Sequence, residues 1–196
     1  MEQEFKWDAE STQIPTVLSY LGLSEPNQVL TMSAIYYDTQ DRYLSRKKAG
    51  LRIRKENSDW VCCLKISEPS ENGAFIRQEY EVPACEIQEG LHQLLKHGAP
   101  ESLCRQLLQA DLVPICRTDF TRKAYLYQGQ DFTMEIAFDT GFFNQIDSFS
   151  EWEAEYKNGQ LETFLSFCQQ MQTDLELSPQ PLSKLARAMA ARPLSN

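Results

Sequence analysis

The chain alternates apolar with charged residues at every second position, and it sorts those charges by sign. Leu51-Arg52-Ile53-Arg54 sets two arginines on one face of an extended segment, and Glu151, Glu153 and Glu155 oppose Trp152, Ala154 and Tyr156. Glu2-Gln3-Glu4-Phe5-Lys6 places two acids and a base on one face near the start. These assignments follow because successive side chains of a β-strand face opposite ways. Any one such strand fits an antiparallel sheet with a single wet face. Together they strain that reading, since like charges side by side repel and ordinary exposed faces mix signs. A ligand of opposite sign relieves the repulsion. Carboxylates at alternate positions suit a hard divalent cation such as Mg²⁺ or Mn²⁺, and guanidinium and ammonium groups suit phosphate oxygens.

The same periodicity predicts eight strands, near 2–8, 30–38, 49–56, 60–66, 74–82, 113–127, 131–140 and 149–157. Asn57-Ser58-Asp59, Asn72-Gly73 and Gln128-Gly129-Gln130 supply turn chemistry between them. Five apolar stripes have helical spacing: Ile14/Val17/Leu18/Leu21, Ile87/Leu91/Leu94/Leu95 ended by Gly98, Leu103/Leu107/Leu108, Leu161/Phe164/Leu165/Phe167/Cys168 and Leu182/Leu185/Ala186/Met189. Such stripes ordinarily dock helices on a sheet. Short hairpin links imply antiparallel pairing, hence an α+β fold. If about eight strands close with charged faces inward and apolar faces outward under the helices, the product is a polar tunnel able to hold one small ligand.

The length of 196 residues fits one domain, taken as 1–196, and the formal net charge of −9 argues against a nucleic-acid-binding surface. It leaves room for an anionic ligand in a locally basic cavity. No apolar run reaches the length of a membrane span, and charge from the second residue argues against a signal peptide. Cys62, Cys63, Cys85, Cys104, Cys116 and Cys168 contain no C-x-x-C pair and read as small buried hydrophobes, reduced in a cytoplasmic protein. Arg42, Arg46, Lys47 and Lys48 read as a solvated loop that could also guide anions toward the tunnel, and His92 and His97 as surface residues. Trp7, Trp60 and Trp152 fall on outward strand faces and are expected under helices. Arg117 and Arg122 stand five apart, on opposite faces unless a bulge intervenes.

The ordered set resembles the CYTH superfamily, the triphosphate tunnel metalloenzymes. It comprises Glu2-Gln3-Glu4-Phe5-Lys6, Tyr37-Asp38-Thr39, Leu51-Arg52-Ile53-Arg54, Leu64-Lys65, Arg77-Gln78-Glu79, Arg117-Thr118-Asp119-Phe120-Thr121-Arg122, Glu153-Ala154-Glu155 and Ser183-Lys184. Two positions depart from the family pattern. Ala137 stands between Glu135 and Asp139 where some members place an acid, and Lys157 follows Glu155 where many continue acidic.

The resemblance implies a closed eight-stranded antiparallel barrel with helices outside, and Mg²⁺- or Mn²⁺-dependent hydrolysis of a triphosphate, foremost inorganic triphosphate. Arg52, Arg54, Lys65 and Arg122, with Arg77 and Arg117, would hold the phosphate chain. Glu2, Glu4, Glu153 and Glu155, supported by Asp139, would hold the metal. Lys6 and Lys184 would meet developing phosphate charge, and Glu79 would either support the metal ligands from behind or order water. Ser183 also fits a helix N-cap, which would leave Lys184 merely solvated. The same tunnel suits a class IV-type adenylate cyclase, a thiamine triphosphatase, a non-catalytic polyphosphate- or nucleotide-binding module, or a barrel that has lost activity. The expected partner is a small anionic substrate, with neither nucleic acid nor membrane, and a homodimer is one open assembly state.

Overall fold

The alternation closes into a cylinder. A computed structural model of the protein describes residues 2–10, 13–68 and 74–192. Eight strands run β1 (Glu2–Asp8), β2 (Gln28–Thr39), β3 (Ala49–Glu56), β4 (Asp59–Ser67), β5 (Phe75–Pro83), β6 (Leu112–Gln128), β7 (Phe132–Phe143) and β8 (Asp147–Gly159). They form a closed antiparallel barrel in the order β1-β5-β4-β3-β2-β6-β7-β8. The helices are α1 (Ile14–Leu21), α2 (Tyr43–Arg46), α3 (Ile87–Lys96), α4 (Glu101–Gln109), α5 (Leu161–Asp174) and α6 (Lys184–Ala190). The expected closed α+β barrel is what the chain forms. The Asn72-Gly73 turn lies outside the described residues.

Two helical layers cover two sides of the barrel. Phe5, Trp7, Ile136, Trp152 and Ala154 face outward beneath Val17 and Leu21 of α1 and Phe164, Cys168 and Met171 of α5. The Trp7 indole N–H donates to Gln172 Oε1 at 2.8 Å, fixing α5 against β1. On the other side Leu51, Ile53, Cys62, Leu64 and Val82 pack under Leu91 and Leu94 of α3 and Cys104 and Leu107 of α4. Gly90 permits that contact, because a Cβ there would collide with the Cys62 side chain. Burial of this apolar area is the main favourable contribution to the fold.

The expectation of charged-in, apolar-out fails at β2 and β6. Apart from Arg122 near the far end of β6, their inward residues are apolar: Met32, Ala34, Tyr36, Cys116 and Phe120, clustered with Phe143, Phe149 and Ala188. Outward, Ser33 donates to Asp119 at 2.7 Å and Arg117 grips Asp119 through two bonds of 2.7 and 2.8 Å. No helix roofs this side among the described residues, so its outer face is wet and the polarity inverts. Trp60 is a second correction. It is 43% exposed at the start of β4, with the Lys55 ammonium 5.6 Å from its ring centroid.

Boundaries follow local chemistry. The expected end of β7 near residue 140 gives way to a strand reaching Phe143. Gly141 stays in the strand because a Cβ there would collide with the Asp119 carbonyl oxygen, so only glycine lets β7 cross β6 so closely. No helix of the described residues is long and apolar enough to cross a membrane.

All six cysteines are free, and only Cys85 is exposed. Burial pushes the Cys62 and Cys116 thiols up to about 12 and raises Cys63, Cys104 and Cys168 as well. A thiolate-selective alkylating reagent at pH 8 is therefore expected to modify one thiol of the native protein and all six after denaturation. Intact-mass spectrometry reads the count, and rapid native labelling at more than one site would contradict this core.

Candidate active site

The inward residues enclose a cavity of about 440 Å³. Its lining carries nine bases (Lys6, Lys48, Arg52, Arg54, Lys65, Arg77, Arg122, Lys157, Lys184) and six acids (Glu2, Glu4, Glu79, Glu81, Glu153, Glu155). A chain of net charge −9 thus turns a net positive lining inward. All but two of the sequence-predicted site residues border this space. Arg117 is on the wet outer face, because β6 pairs without a register shift from Arg117 to Arg122, and an odd separation then divides them. Asp139 is fully buried one layer behind the lining.

The bases fall into two kinds. Arg77, Lys6, Lys184 and Arg122 are bound to acids. Arg77 pairs with Glu4, and Lys6 lies 2.8 Å from Glu153. Arg122 makes two bonds to Asp139 of 2.8 and 2.7 Å and also pairs with Glu153. Arg52 is different: it makes no ion pair among the described residues. Its Nη1 donates to the Tyr36 hydroxyl at 3.2 Å, and its buried Nε has no partner. Arg54 reaches Glu81 at 2.9 Å and also pairs with Glu56, but its Nε is likewise buried and unpartnered. Lys65 bridges Glu2 and Glu79, each at 2.9 Å. A desolvated guanidinium with spare donors is expensive unless an anion completes it.

The Ser183-Lys184 element satisfies both sequence readings at once. Ser183 Oγ accepts the Ala186 N–H at 3.1 Å, capping α6, while Lys184 points inward. Its ammonium sits 2.7 Å from Asp139 and 2.8 Å from Glu153, with Glu151 also bonded. Burial works against the Lys184 charge, but Asp139, Glu151 and Glu153 outweigh it and raise its pKa. Glu151 also holds Arg187, which lies over the Phe143 and Phe149 rings. Leu185, Ala186 and Met189 of α6 line the cavity too, so that stripe covers the tunnel rather than docking on an outer face.

Adjacent acids on β8 differ sharply in environment. Burial disfavours the Glu153 carboxylate, yet Lys184, Lys6 and Arg122 hold its pKa well below the usual range. Glu155 moves the other way: burial raises it, Glu2 and Glu135 add to the rise, and Lys157 opposes it. The register explains the contrast. Glu4 on β1 and Glu135 on β7 both lie directly opposite Glu155, so three carboxylates form one row across three strands. Glu155 and Glu135 share one ammonium, that of Lys157, among the described residues, and hard oxygen donors so arranged fit Mg²⁺ or Mn²⁺. The Asp139–Glu151–Glu153 cluster has ligand atoms within 4.8 Å of one another, but the Lys184 ammonium already fills it.

Sequence reasoning missed Glu151, Arg187, Lys48, Glu81 and the lining position of Lys157. Parity with Glu153 is a signal that would have found Glu151 and Lys157. Asp38 of the Tyr37-Asp38-Thr39 element plays a structural part. Its buried carboxylate accepts the N–H groups of Thr39, Leu44 and Ser45 at 2.8, 2.8 and 3.0 Å and the Ser45 hydroxyl at 2.7 Å. These bonds wind Tyr43–Arg46 into α2, where a loop was expected, and carry Lys48 to the cavity edge. Arg42, Arg46 and Lys47 are exposed as expected, and so are His92 and His97.

A closed antiparallel tunnel lined by opposed acids and bases defines the structural class. The chain belongs to the CYTH domain family, whose model matches residues 2–189. It is 30% identical over 178 residues to an inorganic triphosphatase of Haemophilus influenzae, covering 89% of this chain and 49% of that protein. The chain therefore spans about half the length of that curated relative. Among solved structures, a candidate adenylyl cyclase from Hippeastrum with a dominant triphosphatase activity aligns at a TM-score of 0.70 with 18% identity, covering 99% of each chain. The PH1819 protein of Pyrococcus horikoshii aligns at 0.62 with 19% identity, over 98% of this chain and 100% of that one.

Asp38→Ala would strand the Leu44 and Ser45 N–H groups in a largely buried turn. It is expected to lower the free energy of unfolding by about 2–3 kcal/mol in urea titrations. A loss below about 0.5 kcal/mol, the low end for a single net hydrogen bond, would mean the turn holds without its cap.

Proposed function

We propose that the chain hydrolyses a triphosphate, foremost inorganic triphosphate, with Mg²⁺ or Mn²⁺. The observation that carries this reading is Arg52, a half-buried guanidinium in the tunnel whose buried Nε has no partner and which makes no ion pair among the described residues. Arg54, one step of the alternation away, is paired with Glu81 and Glu56 but shares the unpartnered Nε. A chain of phosphates is the small anion with enough oxygens to meet both and Lys65 besides. The similarity to the Haemophilus inorganic triphosphatase points to the same chemistry.

In this reading Arg52, Arg54 and Lys65 grip the phosphate chain, with Arg77 and Arg122 setting the carboxylates beside it. Glu2, Glu4, Glu153 and Glu155 would hold the metal, with the Glu4–Glu155 pair central and Asp139 steering Arg122 and Lys184 from behind. A bound divalent ion would polarise the terminal phosphoryl group and lower the pKa of a water. Lys6 and Lys184 balance charge that develops on phosphate oxygens, and Glu79, 2.9 Å from Lys65, orders that base and nearby water. Arg117 has no part in it.

The test offers tripolyphosphate, ATP and thiamine triphosphate with Mg²⁺ or Mn²⁺ and measures phosphate and cyclic AMP. Phosphate release from tripolyphosphate, lost in EDTA, is expected. Arg52→Ala should lower kcat/KM by about 10²–10³-fold, the range for one lost charge-stabilising donor in a dry site. Glu4→Gln should abolish turnover while leaving triphosphate binding measurable by calorimetry. Activity that survives EDTA would sink the metal requirement. Tight binding without turnover under either metal would make the tunnel a binding module, and cyclic AMP from ATP would make it a cyclase.

A further inference from the structure

The acidic row Glu4–Glu155–Glu135 brings its own cation. Glu4 is compensated from one side by Arg77 and by Lys6 at 3.3 Å. Glu155 and Glu135 are compensated by Lys157 alone among the described residues, at 2.9 and 4.0 Å. Lys157 leaves β8 two residues after Glu155, on the same inward face, and borders the cavity. Its side chain is 35% exposed, against 7% for Lys184 and 4% for Lys6. The buried ammonium groups are locked in place by several acids. Lys157 is a long flexible stem near the strand end with water beside it, free to swing off its carboxylates.

We propose that Lys157 is a tethered competitor for the divalent ion: its ammonium occupies the Glu155–Glu135 end of the row, and a metal binds there only as Lys157 withdraws. The inference rests on the metal-dependent reading above and adds to it which residue sets metal affinity. Three carboxylates directly opposite one another on neighbouring strands repel. A single ammonium offsets part of that repulsion when no ion is bound, so the barrel tolerates the row without metal. The same ammonium lies a few ångströms from where an ion would sit, and two cations cannot share those oxygens. Affinity for the ion is thereby lowered, and the freed ammonium becomes available to the incoming anion.

Direct Mn²⁺ binding to the full chain, followed by electron paramagnetic resonance in the absence of substrate, tests this. Lys157→Met should bind Mn²⁺ about tenfold more tightly or better than the parent, since one positive charge close to the ion is gone. Lys157→Arg, which keeps the charge, should stay near the parent. Glu155→Gln added to Lys157→Met should erase the gain, tying it to this row. Circular dichroism confirms that each variant is folded. Equal Mn²⁺ affinity in the parent and Lys157→Met overturns the proposal while leaving the metal reading intact. Unchanged Mn²⁺ affinity with weakened tripolyphosphate binding also overturns it and assigns Lys157 to the phosphate wall. Absence of Mn²⁺ binding in parent and variants alike overturns the metal reading itself.

Discussion

The barrel depends on charge compensation inside a closed wall. Taking a carboxylate or ammonium out of water is costly by several kcal/mol, and attraction offsets that only where the geometry is good. Here the pairing is networked rather than pairwise. Glu153 is shared by Lys6, Arg122 and Lys184, and Lys184 is in turn shared by Asp139, Glu151 and Glu153. The network leaves two irregularities, and both bear on function. Arg52 has charge and donors to spare. At the other end of the site, Glu155 and Glu135 share the single ammonium of Lys157 among the described residues. An anion answers the first and a cation the second, so a metal-bound polyphosphate would complete both walls together.

The helices shape this electrostatic arrangement from outside. Where α1, α5, α3 and α4 roof the barrel, each strand sends its apolar residues out and its charged residues in. Where no roof covers β2 and β6, the strands reverse: Met32, Tyr36 and Phe120 turn inward beside α6, and Ser33, Arg117 and Asp119 turn to water. The tunnel therefore has one apolar flank. That flank narrows the polar space to the side where Arg52, Lys65 and the acid row face one another.

Much of this was legible in the sequence, for physical reasons that also explain the failures. Period-two alternation is strong in strands with one dry and one charged face, so β1, β3 and β8 declared themselves with their inward residues. It is silent about which side of the sheet is roofed, which is why the inversion at β2 and β6 and the exposure of Trp60 were not foreseen. Gly141 reads locally as a strand breaker, and only the close passage of β6 shows why it continues β7. Helix α2 is one turn held by the side chain of Asp38, too short to leave a periodic signature. Glu151 stood in the same alternation as Glu153, but its partners Lys184 and Arg187 arrive from more than thirty residues away, a distance at which sequence pattern carries no information.

The ring is joined by the two strands most distant along the chain, since β1 pairs with β8 and Glu4 lies opposite Glu155. Without β8 the strand order is open, with β1 and β7 as its two edges. Lys184 follows later still, so Asp139, Glu151 and Glu153 face one another without their shared cation during the final stage of assembly. Closure thus requires the longest loop the topology permits, an entropic burden that slows folding. Ionic strength enters as a kinetic variable here: salt that screens Asp139, Glu151 and Glu153 should favour closure before Lys184 docks, and should matter less once that ammonium is in place.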